Sequence, residues 1–221
     1  MELKALLFDF CGTITSNEPL HWQSIRAAFA SVKDITNSEL TDEELQSFVG
    51  LQYEDRFTHL LAARGIDDMN LVDTLVRQAK ELYTSSSHTS LVPGVENFIR
   101  TAHSEGILLT VVSNAHTQSI KKTLEEYNLL PLFSSIVGND SVQFPKPHPY
   151  PYEAACINLG VAPKECIAFE DSPIGLEAAR LAGIQTIGIT TTFSSHDLHH
   201  AVKTIRDFSQ LDLQQVRHLL Q

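Results

Sequence analysis

The sequence predicts an α/β protein: a parallel sheet with helices on both faces, and a separate helical segment inserted after the first strand. Three observations carry this expectation. Short, continuously apolar runs end in polar or glycine-bearing loops, helical periodicities fill the spaces between those runs, and the alternation stops over residues 15–87, where only helical spacing persists. Strands buried on both faces are apolar throughout rather than alternating, which is what crossover helices packed over a parallel sheet require.

The elements follow in order. Residues 3–8 are nearly all apolar and end at Asp9-Phe10-Cys11-Gly12, a buried strand entering a loop. Trp22, Ile25, Ala28 and Phe29 then mark one helical face. Thr41-Asp42-Glu43-Glu44 is a capping box, with Leu40 and Leu45 placed as its hydrophobic staple. Phe57, Leu60 and Leu61 mark a further helix, and Leu71, Leu75, Ala79 and Leu82 another, before a polar linker at residues 84–88. Beyond it, helical patterns at 95–103, 118–127, 152–159 and 173–181 alternate with strand runs at 107–112, 166–169 and 184–189 and a weaker one at 134–137. Gly106, Gly160 and Gly183 fall at helix ends, where a left-handed closing residue is wanted. The expected division is a core of residues 1–14 and 88–221 and a helical insert of residues 15–87. Tyr152, Phe169, Phe193 and Phe208 read as core.

Charge and cysteine usage narrow the function. The 221 residues hold 27 acidic and 16 basic side chains, a net charge of -11. Non-specific binding to nucleic acid or to an anionic membrane needs clustered Lys and Arg, so neither partner is expected. An anionic substrate has to be attracted by a local site instead. Cys11, Cys156 and Cys166 form no CxxC pair, which fits a reducing, cytoplasmic setting. The apolar run at residues 5–8 is too short for a signal peptide or a membrane span. Nothing in the sequence indicates an oligomeric state.

In a parallel sheet the loops at the carboxyl ends of the strands converge on one crevice. Four such loops carry polar residues here: Asp9, Cys11, Gly12 and Thr13; Ser113 and Asn114; Lys146 between prolines; and Glu170, Asp171 and Ser172. Each alone is ordinary, a helix cap or a solvated loop residue. Together they suit phosphoryl chemistry. A strand-end Asp can attack phosphorus and split one difficult step into two. The transferring group's charge can be met by Lys146, the Ser113 hydroxyl and backbone N–H groups near Gly12 and Asn114. Gly12 allows close approach of backbone to phosphate.

As an ordered set, the stretches FDFCGTI, VVSNA, FPKPHPYPYEAA and IAFEDSPIGLEAARLAGI resemble the four signature motifs of the haloacid dehalogenase superfamily, close to its β-phosphoglucomutase and phosphoglycolate phosphatase members. The resemblance spans the whole core and implies a Rossmann-like fold with a helical cap at residues 15–87. It also implies a small phosphorylated substrate and a Mg2+ cofactor held by Asp9, the Cys11 carbonyl and Asp171, with Glu170 acting through water. In the cap it points to His21 and to a specificity loop opening at Gly50. Asp9, Cys11, Ser113 and Lys146 are the implied catalytic set, and Gly12, Thr13, His21 and Asn114 the implied substrate contacts.

Position 11 departs from the pattern. Family phosphatases carry a second Asp there, which protonates the leaving oxygen and then activates water. A thiol is a weak donor and a poor mimic of a carboxylic acid. Three readings stay open: a slowed phosphatase favouring good leaving groups, a hydrolase of carbon–phosphorus or carbon–halogen bonds, and a module that keeps the pocket for binding. A mutase would depend on the missing Asp, and Tyr53 stands where the mutase carries Arg. Arg56 reads as one half of a surface ion pair. His196, His199 and His200 read as a solvated helix face, and no GxxxxGK, GxGxxG or HExxH motif competes.

Overall fold

The computed structural model describes residues 2–16, 18–32, 40–48, 51–85 and 90–220. The chain divides into two units, Asn17–Thr89 and the combination of Met1–Ser16 with Ser90–Gln221. Gly50, where the specificity loop was expected to open, and residues 86–88 of the expected linker lie outside the described residues.

The first of these units contains helices α1 Glu18–Ala30, α2 Asp42–Ser47, α3 Tyr53–Ala62 and α4 Met69–Ser85. Their apolar faces meet in a shared cluster that includes Ile25, Phe29, Leu45, Phe57, Leu61 and Leu75. The capping box forms as its spacing demands: the Glu44 backbone N–H donates to Thr41 Oγ1 at 3.1 Å, and the Thr41 N–H to the Glu44 carboxylate at 2.9 Å. Leu40 and Leu45 are both buried beside it. The helix marked by Leu71, Leu75, Ala79 and Leu82 forms as α4, with Val72 and Val76 beside Leu75 and Ala79 in its buried stripe and Leu82 40% exposed. One expectation fails. Arg56 is buried rather than at the surface, its Nε donating to the Leu51 carbonyl at 2.9 Å.

The other unit is built on β1 Ala5–Phe8, β2 Leu108–Val112, β3 Ser135–Val137, β4 Cys166–Glu170, β5 Gln185–Ile189 and β6 Lys203–Ile205. They form one sheet in the order β3-β2-β1-β4-β5-β6, and each neighbouring pair is parallel. β6 escaped the sequence reading because a three-residue edge strand reading Lys-Thr-Ile has no apolar run to betray it. The helices are α5 Val95–Ser104, α6 Thr117–Glu126, α7 Tyr150–Leu159, α8 Pro173–Leu181 and α9 Leu213–His218. Alternate residues of β1 face opposite sides: Leu6 and Phe8 join a cluster with residues of α5, α6 and α9, and Ala5 and Leu7 one with residues of α7 and α8. Gly106, Gly160 and Gly183 take positive φ where helices end. Residues 195–200 are turns, so His196, His199 and His200 do not share a helix face. Among the described residues no helix is long and apolar enough to cross a membrane.

Candidate active site

Strand order places the site. β1 lies between β2 and β4, so the chain leaves their carboxyl ends side by side, at the point where connections diverge to the two halves of the sheet. Asp9 is the first residue past β1, and its backbone N–H extends the ladder by donating to the Phe169 carbonyl at 2.9 Å. Glu170 is the last residue of β4, with Asp171 next to it. Ser113 follows β2, its N–H donating to the Val137 carbonyl at 2.9 Å.

Lys146 comes from the loop preceding α7 and enters this cluster. Its Nζ donates to Asp9 Oδ1 at 2.7 Å, to the Val112 carbonyl at 2.7 Å and to Glu170 Oε1 at 2.5 Å. The loop is held by Asn114, whose side-chain amide pairs with the Lys146 backbone in both directions, at 3.0 and 3.1 Å. Asn114 was expected among the substrate contacts; its side chain is bonded to the Lys146 backbone, which leaves its own backbone N–H out of that pairing. The Ser113 hydroxyl accepts from the Ala115 N–H at 3.1 Å. Thr13 is fully buried, and its hydroxyl has no hydrogen-bond partner. Cys11 is half-buried and packs against the larger core cluster.

Two glycines are required by carboxylates. Gly12 has φ +82°, and a Cβ there would lie 1.8 Å from Asp171 Oδ2. The Asp171 carboxylate is thus one close neighbour that the missing Cβ of Gly12 admits. Gly175, in the first turn of α8, would put a Cβ 2.0 Å from the Glu170 carboxylate. Ser172 caps that turn, accepting from the Gly175 N–H at 3.2 Å and facing Glu170 Oε2 at 3.3 Å. Tyr152, expected only as core, donates its hydroxyl to Glu170 Oε1 at 2.6 Å. The Thr192 hydroxyl donates to Asp171 Oδ2, and the Thr191 hydroxyl to the Gly12 carbonyl. The Thr190-Thr191-Thr192 run directly after β5 is the signal that could have marked this fifth loop.

The electrostatics follow from burial. Asp9, Glu170 and Asp171 present oxygens within 4.8 Å of one another, and all three are buried. Burial pushes the Asp9 carboxyl up to about 7, with Lys146 pulling it down and Glu170 pushing it further up. Burial alone would lower Lys146, but the Asp9 and Glu170 carboxylates outweigh it and hold the ammonium above its ordinary value. Burial and the same two carboxylates raise the Tyr152 hydroxyl, which stays a neutral donor. Carboxylates outnumber the ammonium, and an unbalanced buried charge is costly. A divalent cation coordinated by hard oxygen donors fits that imbalance.

The haloacid dehalogenase-like hydrolase profile matches residues 6–189, from β1 to the end of β5. The chain belongs to that family. Relatives of this hydrolase include validoxylamine A 7'-phosphate phosphatase of Streptomyces hygroscopicus subsp. limoneus, 28% identical over 94% of the chain and 95% of that protein. Phosphoglycolate phosphatase of Pasteurella multocida is 26% identical over 86% of each. Among solved structures, CbbY from Rhodobacter sphaeroides in complex with phosphate superposes with a TM-score of 0.81 at 25% identity, over 95% of this chain and 96% of that one. The hydrolase is thus an enzyme of phosphatase kinship.

His21 belongs to the other unit. Its Nδ1 lies 2.6 Å from the Tyr53 hydroxyl, and its ring stacks on Tyr83 at 4.2 Å between centroids. Ser24 Oγ closes the group at 3.1 Å from the Tyr53 hydroxyl.

Proposed function

We propose that the hydrolase is a magnesium-dependent phosphatase that hydrolyses a small phosphorylated metabolite through an aspartyl-phosphate on Asp9. The observation that carries this reading is Asp9 at the carboxyl end of the central strand, in contact with the Lys146 ammonium and beside Glu170 and Asp171. Magnesium held by Asp9, Asp171 and the Cys11 carbonyl, when bound, offsets phosphoryl charge so that an anionic substrate can approach a carboxylate. An Asp9 oxygen attacks phosphorus and the ester P–O bond breaks, the leaving oxygen taking up a proton. Water then attacks the same phosphorus, releases inorganic phosphate and restores Asp9. Lys146 and the Ser113 hydroxyl meet the phosphoryl charge.

Proton transfer falls to position 11. Cys11 is a weak donor there, and general acid–base help is worth about 10²–10⁴-fold, so turnover is slow and good leaving groups such as acyl phosphates are favoured. Residues 15–87 are assigned the role of substrate-selecting cap, with His21 as its polar candidate. Three free cysteines fit a cytoplasmic setting.

The test compares wild type, Asp9→Asn and Cys11→Asp on phosphate esters and acyl phosphates, with and without magnesium. The reading expects metal-dependent turnover in the wild type, none in Asp9→Asn, and faster turnover in Cys11→Asp. An inert wild type that Cys11→Asp awakens points instead to a pocket kept for binding. Turnover surviving in Asp9→Asn removes the aspartyl-phosphate from the mechanism.

A further inference from the structure

The Lys146 ammonium has three N–H bonds and three acceptors: Asp9 Oδ1, the Val112 carbonyl and Glu170 Oε1. To meet a phosphoryl oxygen it must turn one of those donors away from its present acceptor. The Val112 carbonyl is strand backbone and is fixed, so the choice lies between the two carboxylates. Which of them lets go depends on how well each is otherwise satisfied. Glu170 Oε1 has a second donor, the Tyr152 hydroxyl at 2.6 Å, and Ser172 Oγ stands 3.3 Å from Oε2. Tyr152 is completely buried on α7, where water cannot take over the donation, and the Lys146 ammonium lies 5.2 Å from its ring centroid.

The geometry points to Tyr152 as a positioning residue for the reaction: by donating to Glu170 Oε1 it loosens that carboxylate's hold on Lys146 and frees the ammonium for the phosphoryl group. This rests on the phosphatase reading of Asp9. Tyr152 touches no reacting atom and acts through Glu170. Without the hydroxyl, a buried carboxylate oxygen that has lost one donor leans harder on the one remaining. The ammonium is then drawn toward Glu170, and the phosphoryl group loses part of its countercharge as charge spreads over its oxygens.

The experiment is a double-mutant cycle of wild type, Tyr152→Phe, Glu170→Gln and the double variant, all with magnesium. Turnover of p-nitrophenyl phosphate is one readout. Affinity for inorganic phosphate by calorimetry is the other, and it completes the cycle if Glu170→Gln has no measurable turnover. Tyr152→Phe keeps the ring and its packing; thermal unfolding verifies the fold. Expected is a loss of about tenfold in kcat/KM and in affinity for inorganic phosphate, the size of one hydrogen bond to a charged group. In the Glu170→Gln background the same substitution should change either readout less than twofold. An active wild type indifferent to Tyr152→Phe overturns this inference alone, and so do equal losses in both backgrounds, which mark a packing role. A wild type that neither hydrolyses the ester nor binds phosphate overturns the phosphatase reading and this inference together.

Discussion

The two faces of the sheet are packed with side chains of different size. On one, Phe8 stacks on Phe169 at 4.9 Å, and Phe98 and Phe208 complete an aromatic group with centroids 5.1–5.5 Å from Phe169 or from each other. On the other, small side chains (Ala5, Ala155, Ala168, Ala178, Ala179, Cys156 and Cys166) share the cluster with Leu7, Val112, Val137, Ile184 and the single large ring of Tyr152. Large rings remove much apolar area from water and supply stability. Small side chains remove less, but they let α7 and α8 lie close enough for Tyr152 to reach Glu170 and for Gly175 to rest against the same carboxylate. The same strands therefore carry a face that holds the fold and a face that aims the charges.

That division can be broken from either side. The largest stability loss is expected from Phe98→Ala, which empties part of the aromatic group. Truncation of a buried Phe costs about 3–5 kcal/mol, and chemical denaturation would read it while the kcat of the folded fraction stays near wild type. Ala179→Leu adds bulk on the opposite face. Overpacking costs about 1–3 kcal/mol, a smaller loss in denaturation, yet it pushes α8 away from β4 and should lower kcat several-fold. If Phe98→Ala damages turnover more than Ala179→Leu, the division of labour is wrong.

A subtler effect separates the faces by pH. The folded protein holds a proton on Asp9 up to about 7, whereas an unfolded chain gives it up near 3.8. Between those values the folded state binds the extra proton, so this group's contribution to stability declines as pH rises through the window. Melting temperatures at pH 5, 6, 7 and 8 should show that decline in the wild type and a flatter profile in Asp9→Asn. Magnesium added at pH 8 should restore part of the loss, by binding the folded state and not the unfolded one. Equal slopes in the two proteins would remove Asp9 as the cause.

Much of the fold was legible because its signals are local. The apolar run before Asp9, the strand runs at β2, β4 and β5, and the Thr41 capping box each lie within a few consecutive residues, and periodicity is read over such windows. β6 was missed because a short edge strand is half exposed and needs no apolar run. Arg56 was misplaced on the surface because burial of a long cation depends on an acceptor within its reach, here the Leu51 carbonyl in the turn before α3, and not on its own helical spacing.

The strand-end residues Asp9, Ser113, Glu170 and Asp171, and Lys146 from the loop before α7, could be named from sequence because a parallel sheet must bring those loops to one edge. Their division of labour could not. Asn114 aims Lys146 across 32 positions, and Lys146 reaches Asp9 across 137. Gly12 makes room for Asp171, and Gly175 for Glu170. Hydrogen-bond partners and the space beside a missing Cβ are set by packing between distant segments, which no local pattern encodes. Sequence alone determined the layers, the order of the loops and the chemical types that meet at the sheet edge. Tertiary structure decided which donor serves which acceptor, because a buried polar group takes whichever partner the packed helices bring within reach.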